Sequence, residues 1–223
     1  MFGAEGEDRL EIVAEAEHHD WSPVVEVDGE GGAEPAPAGA LGLSRPHVLG
    51  LSFGGALALQ LFGRHPAVPR TLILAGAYAG WAGSLEPDEV DRRVARLAAD
   101  MQRPPEEWIP SYLPGLLTEA APPEMVEEVR SLMSAVRPAA NQAMLRAMAE
   151  ADLRDVLSRV DVPTLLLYGD QDVRSPVEVG RALHEGIPGS SFVVVPGVGH
   201  LSSVEGADQF NREVRLFLDS RTD

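Results

Sequence analysis

The sequence predicts an α/β fold: a mostly parallel sheet with flanking helices, interrupted by a helical insertion. Three observations predict it. Four short apolar runs, at 47–51, 71–75, 164–168 and 192–195, have the length and continuous apolarity of strands covered on both faces. Helical patterns at 53–63, 176–185 and 204–218 alternate with them, as a parallel sheet with crossover helices requires. Between the second and third runs, residues 85–150 carry apolar stripes at helical rather than strand spacing.

In chain order, residues 1–40 form an atypical acidic segment and linker. The first thirty residues hold ten acids and one Arg, and 31–39 is rich in Gly, Ala and Pro. Short apolar runs at 10–14 and 24–27 are candidate strands. From Leu41 the pattern sharpens. Strand 47–51 runs into a helix that begins with small residues, Gly54, Gly55, Ala56 and Ala58. Strand 71–75 follows. In the insertion, Val90, Val94, Leu97 and Met101 form one stripe, Met125, Val129, Leu132 and Val136 a second, and Met144, Leu145 and Met148 a third. The Pro pairs 104–105 and 122–123 punctuate it. Five of the six Met residues fall here; helix packing accounts for any one of them, and together they suit an adaptable apolar lining. The last helix puts Phe210, Val214, Phe217 and Leu218 on one face.

Composition bounds the function. With 18 basic and 35 acidic residues the formal charge is −17, which disfavours nucleic acid and an anionic membrane surface as partners. There is no Lys, which excludes Schiff-base chemistry and a phosphate-loop lysine. There is no Cys, which excludes disulfides, thiolate nucleophiles and thiolate-held metals. The longest nearly apolar stretch, 72–83, falls short of the roughly 20 residues a membrane span needs. The first twenty residues do not read as a secretory signal, so a cytoplasmic protein is expected.

The sharpest chemical signal is Gly50-Leu51-Ser52-Phe53-Gly54-Gly55, between a strand and a small-residue helix. A Ser in so sharp a turn needs tiny neighbours, because its own backbone is strained. Gly50 and Gly54 are expected to leave room for the turn and Gly55 to let the helix approach the sheet. The Ser would then stand at the carboxyl end of the sheet, at a helix N-terminus that favours developing negative charge. A hydroxyl nucleophile needs a base, and the base an orienting acid. After the third strand comes Gly169-Asp170-Gln171-Asp172, and after the fourth Gly197-Val198-Gly199-His200. Both loops leave the sheet edge that carries Ser52, in the chain order nucleophile, acid, His. The same string occurs by accident as a Gly-rich turn; the strand–helix context favours chemistry.

From Leu41 onward the chain resembles the α/β-hydrolase superfamily, in its lid-bearing bacterial branch of enol-lactonases and small carboxylesterases. The resemblance rests on 41–50 leading into Ser52, on Asp161-Val162-Pro163-Thr164-Leu165-Leu166 leading to Gly169-x-x-Asp172, and on Gly197-x-Gly199-His200. It implies an N-terminally incomplete α/β-hydrolase core at 41–84 and 151–223, with a helical cap at 85–150. It implies Ser52 as nucleophile, Asp172 as acid and His200 as base, with the Phe53 amide as an oxyanion donor. The expected reaction is hydrolysis of a small-molecule carboxylic ester or lactone, without cofactor; acyl transfer would use the same groups. Asp170 is the rival acid, disfavoured by the Gly-x-x-Asp spacing and otherwise a turn residue. Trp81, Trp108, Met144 and Met148 are candidate substrate-binding residues and Tyr78 a further candidate for the pocket lining, with core packing the alternative. His47 and His65 read as structural or surface groups. His18, His19 and Asp20 lack a full metal ligand set, so no metal is expected.

The pattern departs from the family in one region. Residues 1–40 contain neither the His-Gly loop that supplies a second oxyanion donor nor the Gly-rich, Arg-containing turn. Losing one donor costs about a hundred- to a thousandfold in rate. The strand at 47–51 would also lack its upstream neighbour, leaving an edge for 10–14, 24–27 or a second subunit to cover; a homodimer is one expectation. The change near Ala40 also raises the expectation of a truncated or frame-shifted product. The alternative function is therefore a catalytically impaired remnant or binding module.

Overall fold

Runs of Leu, Val and Ile without alternating polar residues form the two central strands, which are buried throughout, while the first and last strands are partly exposed. The computed structural model describes residues 44–135 and 138–221; the expectations for 1–40 lie outside them. Within them, β1 His47–Leu51, β2 Thr71–Ala75, β3 Thr164–Gly169 and β4 Ser191–Val195 make one sheet in the order β1-β2-β3-β4. All three pairings are parallel. Each predicted strand is present, the last two longer by one residue. The register sets Leu51 beside Ala75 and Ala75 beside Leu167, while Gly169 pairs with Val195. The four carboxyl ends therefore share one edge, and the loops after them emerge together.

Side chains alternate across the pleat, so each strand feeds two cores. One face sends Val48, Leu72, Leu74, Leu166 and Tyr168 against α1 Phe53–Arg64 and α7 Val177–Gly186. The other sends Ile73, Ala75, Leu165, Leu167 and Val195 against Phe210, Val214 and Phe217. These three lie at helical spacing on α9 Ala207–Asp219, as the sequence predicts. Leu59 and Phe62 of α1 are almost fully buried, each worth about 1.5–3 kcal/mol of transfer free energy.

Between β2 and β3 the chain forms α2 Pro87–Asp100, α3 Pro105–Tyr112, α4 Pro123–Ser134 and α5 Pro138–Glu150, then the short α6 Arg154–Leu157. All four longer helices start on proline. A first-turn N–H has no intrahelical acceptor, so proline loses nothing there and its fixed φ suits the helix. Glu86, Pro104 and Pro122, each just before such a proline, are extended, with ψ of 144, 148 and 145°. A small separate core joins Ile109, Leu113, Leu117 and Val129. One expected stripe is displaced. Leu132 is 65% exposed, and Met125, Val126 and Met133 pack beside Val129 instead. The buried face follows 125, 129 and 133, so position 132 turns outward.

The two ends of this insertion meet. The N–H of Leu153 donates to Ala79 O at 2.9 Å, and that of Trp81 to Met148 O at 2.9 Å. Gly80 has φ 71°, and a Cβ there would lie 2.0 Å from Ala151 O, so only glycine fits the crossing.

The C-terminal helix differs from expectation. It is two helices, α8 Ser202–Glu205 and α9, separated at Gly206 with φ −124° and ψ 43°. A Cβ on Gly206 would come within 2.7 Å of a Val198 methyl. The break lets α8 stay with the loop after β4 while α9 lies on the sheet. Among the described residues no helix is long and apolar enough to cross a membrane.

Candidate active site

Ser52 follows β1 directly and has φ 55° and ψ −113°, one of two described non-glycine residues with positive φ. Such a conformation costs about 1–3 kcal/mol and persists only when its surroundings enforce it. They do so here. The Ser52 N–H extends the ladder by donating to Ala75 O at 2.8 Å, and the Ser52 carbonyl accepts from Gly55 N at 3.0 Å. A Cβ on Gly50 would sit 2.2 Å from Gly54 O, and one on Gly55 2.4 Å from the Ala77 methyl. Both glycines are thus required by contact. Gly54 is not: a Cβ there meets nothing within 4 Å. The Phe53 N–H, at the start of α1, lies among the donors that a helix leaves without intrahelical acceptors.

Asp172 and His200 come from the loops after β3 and β4, and both are about 95% buried. His200 Nδ1 lies 2.8 Å from Asp172 Oδ2. The other carboxylate oxygen accepts the N–H groups of Arg174 and Ser175, each at 2.8 Å. This is the turn an aspartate forms with the amides two and three residues on, and it leaves one oxygen for the imidazole. Ser175 is fully buried and donates its hydroxyl to Gly76 O at 2.7 Å. Gly76, with φ 50°, follows β2, and a Cβ there would lie 3.3 Å from both the imidazole and Asp172 Oδ2. Ser52 is hydrogen-bonded to Ala75 and the His–Asp pair rests on Gly76, so all three residues flank one peptide. The Ser52 hydroxyl makes no hydrogen bond to His200 among the described residues.

Asp170, the rival acid, is exposed and accepts the Gly197 N–H at 2.7 Å, bracing the loop ahead of His200. His47 Nδ1 is 2.9 Å from Thr71 Oγ1 between β1 and β2, a structural contact. The candidate lining residues are dispersed. Met148 is buried in the main core and Met144 is 38% exposed. Trp108 belongs to the insertion's own core, edge-on to Tyr112. Trp81 lies under the Arg93 guanidinium, 5.6 Å from its ring centre. A cavity of about 490 Å³ lies between α6, α7 and 82–86, and none of Ser52, Asp172 or His200 lines it. Among the described residues no group of three His, Cys, Asp or Glu side chains is placed to hold a metal; His18, His19 and Asp20 lie outside them.

Several contacts escape sequence reasoning. Tyr168 donates its hydroxyl to Ala77 O at 2.6 Å, and burial pushes its phenol far above the usual tyrosine range. The Tyr78 hydroxyl donates to Arg174 O. Burial pushes the Arg174 guanidinium below the ordinary arginine range. Glu205 accepts the Gly199 N–H at 2.6 Å and the Thr118 N–H at 2.9 Å. Only Ser175 had a local signal, the spacing Asp-x-x-Ser that such a turn uses.

The sequence profile described as the alpha/beta hydrolase family matches residues 3–213. The chain belongs to the α/β-hydrolase family. The match begins at residue 3, inside the segment that sequence reading sets apart. A pimeloyl-[acyl-carrier protein] methyl ester esterase of Neisseria meningitidis is 29% identical over 178 residues, 77% of this chain and 69% of that protein. An esterase structure from Thermogutta terrifontis is 28% identical with a TM-score of 0.74, covering 82% of this chain and 68% of that one. An enol-lactonase structure from Burkholderia xenovorans, 23% identical, shares the fold with a TM-score of 0.72 over 82% of this chain and 68% of that one. This α/β-hydrolase thus has esterases among its relatives.

Proposed function

We propose that the protein hydrolyses carboxylic esters or lactones of small molecules through an acyl-enzyme on Ser52. The observation that carries this reading is the buried 2.8 Å contact between His200 Nδ1 and Asp172 Oδ2, set beside the strained Ser52 turn. The Asp172 carboxylate fixes the imidazole tautomer that leaves Nε2 free as a base. His200 Nε2 takes the hydroxyl proton as Ser52 Oγ bonds to the substrate carbonyl carbon. The tetrahedral oxyanion draws on the Phe53 N–H and the N-terminal end of α1. It collapses by expelling the alcohol, which leaves with the proton from His200. Water, deprotonated by the same imidazole, then attacks the acyl-enzyme and releases the acid, returning the proton to Ser52. No cofactor enters this sequence.

In the same reading, helices 85–150 form the cap over the site. The named relatives make ester cleavage the first chemistry to assay, with acyl methyl esters and lactones beside p-nitrophenyl esters. Labelling by a fluorophosphonate probe, with Ser52→Ala as control, tests the mechanism directly. The wild-type protein should label once per chain and the variant not at all. A folded wild-type protein that does not label would overturn the acyl-enzyme and leave the binding-module alternative.

A further inference from the structure

Both loops that carry the His–Asp pair are fastened to one short segment of the insertion, residues 112–118. On the acid side, Arg174 Nη2 donates to Tyr112 O at 3.0 Å, and its guanidinium stacks 3.6 Å over the Tyr112 ring. Gly115 makes room for it, since a Cβ there would lie 2.8 Å from Arg174 Nε. On the base side, the N–H of Leu201, next to His200, donates to Leu116 O at 3.0 Å. Glu205 completes the attachment with both carboxylate oxygens. Oε2 accepts the Gly199 N–H at 2.6 Å; Oε1 accepts the N–H of Thr118 at 2.9 Å and also the Thr118 hydroxyl. The segment is itself anchored, because Leu113 and Leu117 are buried in the insertion's core, against which Leu201 also packs.

We infer that residues 112–118 act as a strap that sets the geometry of the His–Asp pair, and that Glu205 is the positioning residue that clasps it to the His200 loop. The inference rests on the proposed ester hydrolysis for its kinetic consequence. Its physical basis is the number of acceptors. Glu205 faces three donors on two separate segments, and only a carboxylate presents two acceptor oxygens to them. An amide of the same shape must turn its NH₂ toward either Gly199 or Thr118, where it meets an N–H, so one half of the clasp opens. The Gly199–His200 backbone then depends on the Leu201–Leu116 hydrogen bond for its tie to the strap, while Glu205 itself touches no reacting atom.

The test compares wild type, Glu205→Gln, Thr118→Val and the double variant, each checked for folding by thermal melting. Two readouts are taken: kcat and KM on p-nitrophenyl butyrate, and the downfield proton resonance of His200 Nδ1–H. Glu205→Gln should lower kcat on the order of ten- to a hundredfold, the scale of a small misplacement of a reacting group, with KM little changed. The resonance should broaden or be lost. The double variant should fall no further than Glu205→Gln alone, because both substitutions open one clasp. A kcat within about twofold of wild type, a fall explained by the unfolded fraction, additive effects, or an unchanged resonance would each overturn the inference. Should Glu205→Gln not fold, Thr118→Val decides, with an expected fall on the order of tenfold, the scale of one hydrogen bond to a charged group. If wild type hydrolyses no ester, the functional reading fails separately, and the resonance comparison alone decides the clasp.

Discussion

Asp172→Asn changes one atom of the side chain and should silence the site while leaving the fold intact. Asp172 Oδ1 accepts two backbone N–H groups at 2.8 Å, and an asparagine carbonyl accepts the same pair. Those bonds lose their charge assistance, which costs about 1–3 kcal/mol in stability. The other oxygen becomes an NH₂ aimed at His200 Nδ1, now 2.8 Å away. A donor facing Nδ1 selects the tautomer that bears its proton on Nε2, and that nitrogen can no longer remove a proton from Ser52. The expected loss in kcat is on the order of 10⁴-fold. At 1.36 kcal/mol per tenfold, this is about 5 kcal/mol of transition-state stabilisation. The assay is kcat/KM on p-nitrophenyl butyrate together with the rate of fluorophosphonate labelling, with a melting curve for each protein. Asp170→Asn is the matched control, because its exposed carboxylate braces Gly197 and is not the one bonded to the imidazole; it should cost less than tenfold, about 1.4 kcal/mol. The reasoning is refuted if folded Asp172→Asn retains activity within tenfold of wild type, or if Asp170→Asn is the substitution that abolishes it.

Three further outcomes are expected. Gly50→Ala should destabilise the protein by about 1–3 kcal/mol or more, since its Cβ would overlap the Gly54 carbonyl, whereas Gly54→Ala should change stability by no more than about 1 kcal/mol; denaturant melts of both compare them. Tyr168→Phe removes the hydrogen bond to Ala77 O and should cost about 1 kcal/mol at neutral pH. The folded phenol keeps its proton above the ordinary tyrosine value of 10.0, so the unfolded state ionises first and wild-type stability falls as pH rises beyond that value; Tyr168→Phe should lack this part of the alkaline loss in pH-dependent melts. Ser175→Ala should destabilise by about 1–3 kcal/mol, by leaving the buried Gly76 carbonyl without its 2.7 Å donor, with a drop in kcat readable beside the melt.

The strands were legible because each is a continuous apolar run, and a parallel sheet buried on both faces demands that pattern. The strained Ser52 turn was legible because glycine at 50 and 55 has no substitute where backbone and helix touch. Asp172 was set before Asp170 by the Gly-x-x-Asp spacing; it is Asp172 that lies 2.8 Å from His200 Nδ1, while Asp170 bonds to Gly197. Leu132 misled because a stripe at spacing 125, 129, 132 and 136 fits a helix as well as 125, 129 and 133 does; the partner surface chooses between them. The break at Gly206 was hidden because helical periodicity persists across it. Glu205 and Arg174 were invisible because their partners, Thr118 and Tyr112, lie 87 and 62 positions away in the chain. Long-range polar contacts leave no periodic trace.

The hydrogen bond between Leu153 and Ala79 closes a doorway at the base of the insertion. A segment whose entrance and exit touch can be lengthened, shortened or exchanged at small entropic expense, because the ends need no new closure. The stretch between β2 and β3 can therefore change in length and composition while the pleated foundation goes unaltered.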